Sequence, residues 1–190
     1  YVLISGNQVG ILLTDYIAKT RKELGCMPEN PVMVKSIVSS SLADEVAKSH
    51  GVEMKNVLTG FKYIGEQIAL LEAKGEENRF ILGFEESYGY MMGDYVRDKD
   101  GVSAITLVAE AAAWAREPMG ITLYEWLQQL YVKYGFFREG LVNVVRKGKD
   151  GAAEIQQMMV DYRQNPPKSI LGSPVVKILD YKTLEELDVA

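Results

Sequence analysis

The sequence predicts an α/β fold: a three-layer α/β/α domain with a mostly parallel mixed sheet, followed by an incomplete α+β module. Two observations lead to this prediction. Short apolar runs rich in β-branched residues alternate with segments whose apolar residues recur at helical spacing. The order strand, helix, strand, helix, strand favours parallel strands joined by helices that cross over a face of the sheet.

The elements of the first domain follow one another from the N-terminus. The first five residues resemble the tail of a strand, and helical spacing from Val9 onward predicts a helix that Gly25 ends. Strands are predicted at three places: residues 32–38, 52–58 and 79–84. Helices are predicted between and after them: residues 42–50, 60–71, 101–116 and 123–134. Asp100 caps the third of these helices, and a capping box of Thr122 and Glu125 begins the fourth.

A second module is predicted after Gly135, where the pattern changes. Residues 136–146 alternate like a half-buried strand, a helix capped by Asp150 follows, and residues 175–181 form another strand. We therefore divide the chain into a complete domain over residues 1–135 and a truncated one over residues 136–190. Both ends of the chain read as cut, since there is no starting Met and no cap closes the last segment.

Composition excludes several classes of protein. The chain has 190 residues, a net charge of -5 and 47% hydrophobic residues, which is typical of a folded globular protein. No cluster of Lys and Arg is dense enough to predict a nucleic-acid partner. Cys26 and His50 stand alone as residues of their types, which argues against a disulfide, a cysteine zinc site and a histidine metal cage. No apolar run approaches the roughly 20 residues that span a bilayer, and no signal peptide is evident, so a cytoplasmic protein without a membrane partner is predicted.

The strongest functional signal is the segment 83–89, GFEESYG, where the third predicted strand ends. Ligands of open α/β sheets bind beyond the carboxyl ends of the strands. Because side chains alternate along a strand, we expect Glu85 and Ser87 to point the same way and Glu86 the other way. A carboxylate and a hydroxyl together suit the hydroxyl groups of a sugar ring. A turn that binds nothing is the alternative interpretation.

The charged segment 94–101, DYVRDKDG, precedes a predicted helix. A calcium loop does not fit, because with Asp100 as its fifth position the first and twelfth would be Val96 and Leu107, which cannot bind calcium. We expect Lys99 or Arg97 to face an anionic substrate or to take part in proton transfer. The alternative is a solvated charged turn.

Two further segments could face a substrate. Thr59 and Gly60 lie where the second strand passes into a helix, whose N-terminal N–H groups favour anions. An ordinary turn capped by Thr59 is the alternative. Lys35 lies within an apolar strand, so its ammonium group must reach water or a partner. It is expected either to extend outward to solvent or to face a cleft shared with the other segments.

Five segments together resemble the third domain of the α-D-phosphohexomutases, the phosphoglucomutase and phosphomannomutase family. They are LISGNQ at 3–8, KSIVSS at 35–40, TGFK at 59–62, GFEESYG at 83–89 and RDKDG at 97–101. The resemblance covers residues 1 to about 135, and the remainder resembles the start of the fourth domain of that family. Phe84 stands where the family loop usually has its first Gly, which leaves the preferred sugar open.

The resemblance implies interconversion of hexose 1-phosphate and hexose 6-phosphate through a phosphoserine and a hexose bisphosphate intermediate, with Mg²⁺. It implies that Glu85 and Ser87 hold ring hydroxyls and that Thr59 and Gly60 meet the sugar. It further implies that Lys99 transfers a proton or contacts substrate, and that Lys35 faces the cleft. The nucleophile, the magnesium loop and a phosphate-binding loop are expected in the missing domains of the same chain. No metal ligand is expected here, and this piece alone is expected to be inactive.

The alternative function is a non-catalytic α/β binding or interaction module whose acidic turn is only a turn. The sequence of the parent gene distinguishes the two functions. The non-catalytic alternative predicts that neither a phosphoserine motif nor a magnesium loop lies upstream of this segment.

Overall fold

The computed structural model describes residues 1–140, 144–183 and 185–188. The chain divides into two compact units, Tyr1–Glu139 and Gly140–Ala190. In the part of the chain that the structure describes, no helix is both long and apolar enough to span a membrane.

A four-stranded sheet forms the centre of the first unit. Its strands are β1 (Val32–Ser36), β2 (Glu53–Val57), β3 (Phe80–Glu85) and β4 (Gly89–Met91). They lie in the spatial order β2-β1-β3-β4. Strand β1 pairs in parallel with both β2 and β3, whereas β4 is antiparallel to β3. The mostly parallel mixed sheet predicted from the sequence is therefore confirmed.

Helices cover both faces of this sheet. They are α1 (Gly6–Glu23), α2 (Leu42–Ser49), α3 (Phe61–Glu72), α4 (Gly101–Met119) and α5 (Leu123–Tyr134). The buried face of α3, with Ile64 and Ile68, packs on one side of the sheet against Val34. The other four helices form a larger core on the opposite side, in which Leu12 and Leu127 are almost fully buried. Apolar burial on both faces gives the three predicted layers.

The starts of three helices follow local rules, and two predicted boundaries differ. Ser5 and Gln8 form a capping box at the start of α1, so the first residues lead into a helix and form no strand. The predicted caps of α4 and α5 are confirmed. Helix α4 continues beyond its predicted end to Met119, where Gly120 adopts a left-handed φ of 67° and ends it.

The second unit contains α6 (Gly148–Gln164) and two small hairpins. The hairpins pair β5 (Ser169–Ile170) with β6 (Ser173–Pro174), and β7 (Lys177–Asp180) with β8 (Glu185–Asp188). Strand β7 confirms the prediction for residues 175–181. The predicted cap is wrong, since α6 begins before Asp150.

The strand predicted over residues 136–146 is wrong where the structure describes it. Residues 136–140 and 144–146 are irregular, and residues 141–143 lie outside the described part of the chain. An alternating pattern makes a strand only when a neighbour accepts its backbone hydrogen bonds, and none of the described strands pairs with this segment.

Candidate functional site

Three loops leave the sheet at one edge, because the carboxyl ends of parallel strands point the same way. They are residues 37–41 after β1, 58–60 after β2 and 86–88 after β3, and together we call them the carboxyl edge. Helix α1 begins against this edge. A Cβ on Gly6 would lie 1.9 Å from the backbone oxygen of Glu86, so only glycine fits there. The Asn7 side chain also accepts a hydrogen bond from the backbone N–H of Ser40 at 3.0 Å.

Glu85 connects two of these loops. Its side chain is buried, and Oε1 accepts a hydrogen bond of 2.5 Å from the backbone N–H of Gly60. Gly60 has φ 129° and ψ 126°, a conformation that favours glycine over any residue with a side chain. The described hydrogen bonds include none to the second oxygen, Oε2, although Glu85 as a whole is only 4% exposed. Because no described buried side-chain oxygen lacks a partner, Oε2 keeps some contact with solvent and can accept a further hydrogen bond.

Ser87 lies differently from the prediction. Strand β3 ends at Glu85, and residues 86–88 form a turn in which Tyr88 has φ 62°. Because strand alternation stops at Glu85, the premise that Glu85 and Ser87 lie on one strand is wrong, and alternation no longer fixes the direction of the Ser87 side chain. Both residues lie at the carboxyl edge, but Glu85 is buried and Ser87 is exposed.

Glu86 was not predicted to matter, and it points to a different loop from Glu85. Its Oε2 accepts a hydrogen bond of 2.8 Å from Ser36 Oγ and lies 3.5 Å from Ser39 Oγ. The two serine hydroxyls are 2.7 Å apart. The run of serines after β1 was the available sequence signal, but nothing local connects it to a residue 50 positions away.

Lys35 is buried inside the domain. Its Nζ lies 3.0 Å from Asp44 Oδ2 and donates to the backbone oxygen of Ser39 at 3.3 Å. Burial lowers the pKa of Lys35, and the charge and hydrogen bond of Asp44 oppose that shift. The expectation that Lys35 extends outward to solvent is wrong, and its ammonium group is already paired rather than facing an open cleft.

Lys99 and Thr59 are exposed at the same edge. Lys99 Nζ lies 5.2 Å from the centre of the Phe61 ring, and its Cδ is 3.4 Å from where a Cβ of Gly89 would be. Phe61 begins α3 directly after Gly60, so Lys99 lies beside the loop that Glu85 holds. Arg97 instead forms an ion pair with Glu72. The structure thus brings the predicted residues Thr59, Gly60, Glu85, Ser87 and Lys99 to one edge.

Clusters of potential metal ligands were sought among the described side chains. Within residues 1–140, 144–183 and 185–188, no group of three or more His, Cys, Asp or Glu side chains is placed so that it could hold a metal ion.

Comparison with known families decides the identity of the domain. The sequence model described as phosphoglucomutase/phosphomannomutase, alpha/beta/alpha domain III, matches residues 5–134. The chain belongs to the phosphoglucomutase/phosphomannomutase family. The resemblance noted from five motifs is confirmed. The match contains the whole sheet, the five helices of the first unit and the carboxyl edge.

Curated relatives agree with this assignment. A phosphoglucomutase of Staphylococcus aureus (strain MRSA252) is 37% identical over 181 residues, covering 95% of this chain and 31% of the relative. A phosphoglucomutase of Staphylococcus aureus (strain N315) is 36% identical over the same length. The chain therefore spans about a third of the length of these phosphoglucomutase relatives.

Solved structures of the family share the fold. The open form of parafusin, a phosphoglucomutase from Paramecium, matches 98% of this chain and 31% of its own length, with a TM-score of 0.59 and 17% identity. A candidate phosphomannomutase from Thermus thermophilus matches 69% of this chain and 26% of its own length, with a TM-score of 0.52 and 24% identity. The three-layer architecture is therefore that of the family.

Proposed function

We propose that the full-length protein containing this chain is a phosphohexomutase. It interconverts hexose 1-phosphate and hexose 6-phosphate through a phosphoserine and a hexose bisphosphate intermediate. The nucleophile and the Mg²⁺ site belong to other domains of the same chain, and residues 136–190 begin the fourth domain. Support comes from the family model over residues 5–134 and from the 37% identity to a phosphoglucomutase over 95% of the chain.

The role of this domain in the proposal is recognition of sugar hydroxyls. One observation carries that role: the Glu85 carboxylate is held by Gly60 N–H through one oxygen, while the other oxygen takes part in none of the described hydrogen bonds. A carboxylate fixed in this way accepts a hydroxyl hydrogen bond without first losing side-chain freedom. Hydrogen bonds to a charged acceptor are also stronger than those between neutral groups.

The exposed groups around Glu85 complete the proposed sugar contact. Thr59 and Ser87 each bring a hydroxyl that can donate or accept, and the Lys99 ammonium group can only donate. In this proposal the Lys99 ammonium group has one of two roles. It donates a hydrogen bond to a sugar oxygen or to the phosphate, or it transfers a proton to the sugar oxygen. Its closeness to Phe61 and Gly89 keeps it at the carboxyl edge.

Lys35 has an indirect role in the proposal. Its ammonium group holds the backbone oxygen of Ser39, so it orders residues 37–41 at the carboxyl edge. Direct contact with a sugar would require the ion pair with Asp44 to open.

The test is the interconversion of glucose 1-phosphate and glucose 6-phosphate by the full-length protein, with Glu85→Ala and a control, Glu29→Ala. Glu29 is exposed and precedes β1, at the opposite end of the strands. Loss of a hydrogen bond to a charged group corresponds to roughly 1.5–3 kcal/mol, so kcat/KM should fall about 10- to 150-fold in Glu85→Ala. A wild-type protein that is inactive on both glucose and mannose phosphates would refute the proposed reaction. An active enzyme that Glu85→Ala leaves unaltered would refute the role of Glu85.

A further inference from the structure

Two adjacent glutamates at the end of β3 hold two different loops. Glu85 accepts a hydrogen bond from Gly60 in the loop after β2, whereas Glu86 accepts one from Ser36 at the end of β1. The three parallel strands are therefore connected at the carboxyl edge by side chains as well as by the sheet.

The contact of Glu86 is built from buried groups. Ser36 and Ser39 are 0% and 3% exposed, and a buried hydroxyl needs a hydrogen-bond partner. Ser36 donates to Glu86 at 2.8 Å, and Ser39 Oγ lies near both Ser36 and the same carboxylate oxygen. The charge on Glu86 strengthens these bonds, which makes its side chain a firm anchor.

The Glu86 side chain is one support of the turn at residues 86–88, and the close packing of Gly6 against the backbone oxygen of Glu86 is another. Ser87 takes part in none of the described side-chain hydrogen bonds, so its position follows from its neighbours in the turn. On one side is Glu86, and on the other Gly89 pairs with Glu85 across β3 and β4. Tyr88 adds only a hydrogen bond of 3.4 Å to the backbone oxygen of Ile4, from an exposed side chain.

We propose that Glu86 is a positioning residue for sugar binding. Its carboxylate, anchored on Ser36 and Ser39, sets the turn that presents Ser87 and keeps the end of β3 aligned with the loop that Glu85 holds. Glu86 itself does not contact the sugar. This inference rests on the proposed function, because it assumes that Glu85 and Ser87 meet a hexose phosphate.

The experiment compares full-length wild type, Glu86→Ala, Glu86→Gln, Ser36→Ala and the control Glu29→Ala in the same interconversion assay. A misplaced turn weakens ground state and transition state alike, so KM should rise about tenfold in Glu86→Ala while kcat changes less than about threefold. Glu86→Gln keeps an oxygen that accepts from Ser36, so its KM should stay within about threefold of wild type. Ser36→Ala leaves both glutamates intact and should raise KM in the same direction as Glu86→Ala. It decides the question if Glu86→Ala does not fold.

A second measurement does not depend on activity. Backbone hydrogen exchange should become faster in Glu86→Ala at residues 37–41 and 86–89, and stay unchanged in α3. Unchanged exchange in those loops, or a KM in Glu86→Ala and Ser36→Ala equal to that of wild type, overturns the inference. A Glu86→Gln variant as impaired as Glu86→Ala also overturns it. A wild type that is inactive on both glucose and mannose phosphates refutes the proposed function, and the exchange data alone then decide whether Glu86 holds the turn.

Discussion

Asp44→Ala removes the carboxylate partner of the buried Lys35, and its effect can be worked out from the structure. The Lys35 side chain is 2% exposed and that of Asp44 is 29% exposed, with 3.0 Å between their charged atoms. Without Asp44, the ammonium group keeps the hydrogen bond to the backbone oxygen of Ser39 at 3.3 Å and the favourable charge of Glu139. Removing one partner of a buried ion pair lowers the free energy of unfolding by about 3–5 kcal/mol. Because water reaches the Asp44 side chain, we expect Asp44→Ala to lower it by ~2–3 kcal/mol.

Lys35→Met is the matched comparison. It removes the charge, keeps most of the buried alkyl chain and leaves Asp44 partly in solvent, so the cost should be about 1 kcal/mol or less. The double variant should resemble Lys35→Met rather than the sum of the two single variants. Urea denaturation of the chain can be followed by fluorescence, because Trp114 and Trp126 pack in the core of the first unit. This explanation would be refuted if the two single variants lowered the free energy of unfolding equally. It would also be refuted if the double variant lowered it by the sum of the two.

The pH dependence gives a second check on the same pair. Burial lowers the pKa of Lys35 in the folded chain below its ordinary 10.5. At pH values between the lowered pKa and 10.5, the unfolded chain binds a proton that the folded chain has released. Folding stability therefore rises with pH in that window. Asp44 opposes the pKa shift, so its removal widens the window, and the cost of Asp44→Ala should shrink as pH rises from 7 towards 10. If Asp44→Ala lowered the free energy of unfolding by the same amount at every pH, the assignment of a lowered pKa to Lys35 would be contradicted.

Two further predictions concern backbone conformation and alkaline stability. Gly60→Ala forces a side chain into φ 129°, so it should displace the N–H that Glu85 accepts and lower kcat/KM by about tenfold or more, measured in the interconversion assay; unchanged kinetics would contradict it. Burial, with a hydrogen bond to Glu110, raises the pKa of Tyr16 to about 12. The unfolded chain loses that proton first, so stability should fall as pH rises above 10. The urea midpoint of Tyr16→Phe should fall less between pH 9 and pH 11 than that of wild type, and parallel losses in the two proteins would argue against it.

Local sequence patterns predicted most of the elements of the first unit. The strands β1, β2 and β3 and the caps of α4 and α5 follow from apolar periodicity and from hydrogen bonds between residues three apart, which act within a few positions. The strand predicted over residues 136–146 was wrong because its formation does not depend on neighbouring residues alone. Strand formation needs a partner from elsewhere in the chain, and local alternation contains no information about that partner.

The candidate site was predicted as a set of residues but not as an arrangement. The segment 83–89 was recognised from its composition and its place at a strand end. Its geometry differs, since Glu85 is buried, Ser87 is exposed and Glu86 makes the contact that no pattern indicated. The environment of Lys35 could not be predicted locally either. A lysine within an apolar strand can extend to solvent or pair with an acidic residue, and its partner Asp44 lies on the helix that follows the strand.

The sequence by itself determined the alternation of strands and helices, the family of the domain, and the edge of the sheet where its polar residues gather. These properties depend on neighbours along the chain and on the direction of parallel strands. Only the tertiary structure decided which glutamate holds which loop and that Lys35 is enclosed. Those outcomes depend on turns and on partners such as Ser36 and Glu86, 50 positions apart, which meet only when the sheet is assembled.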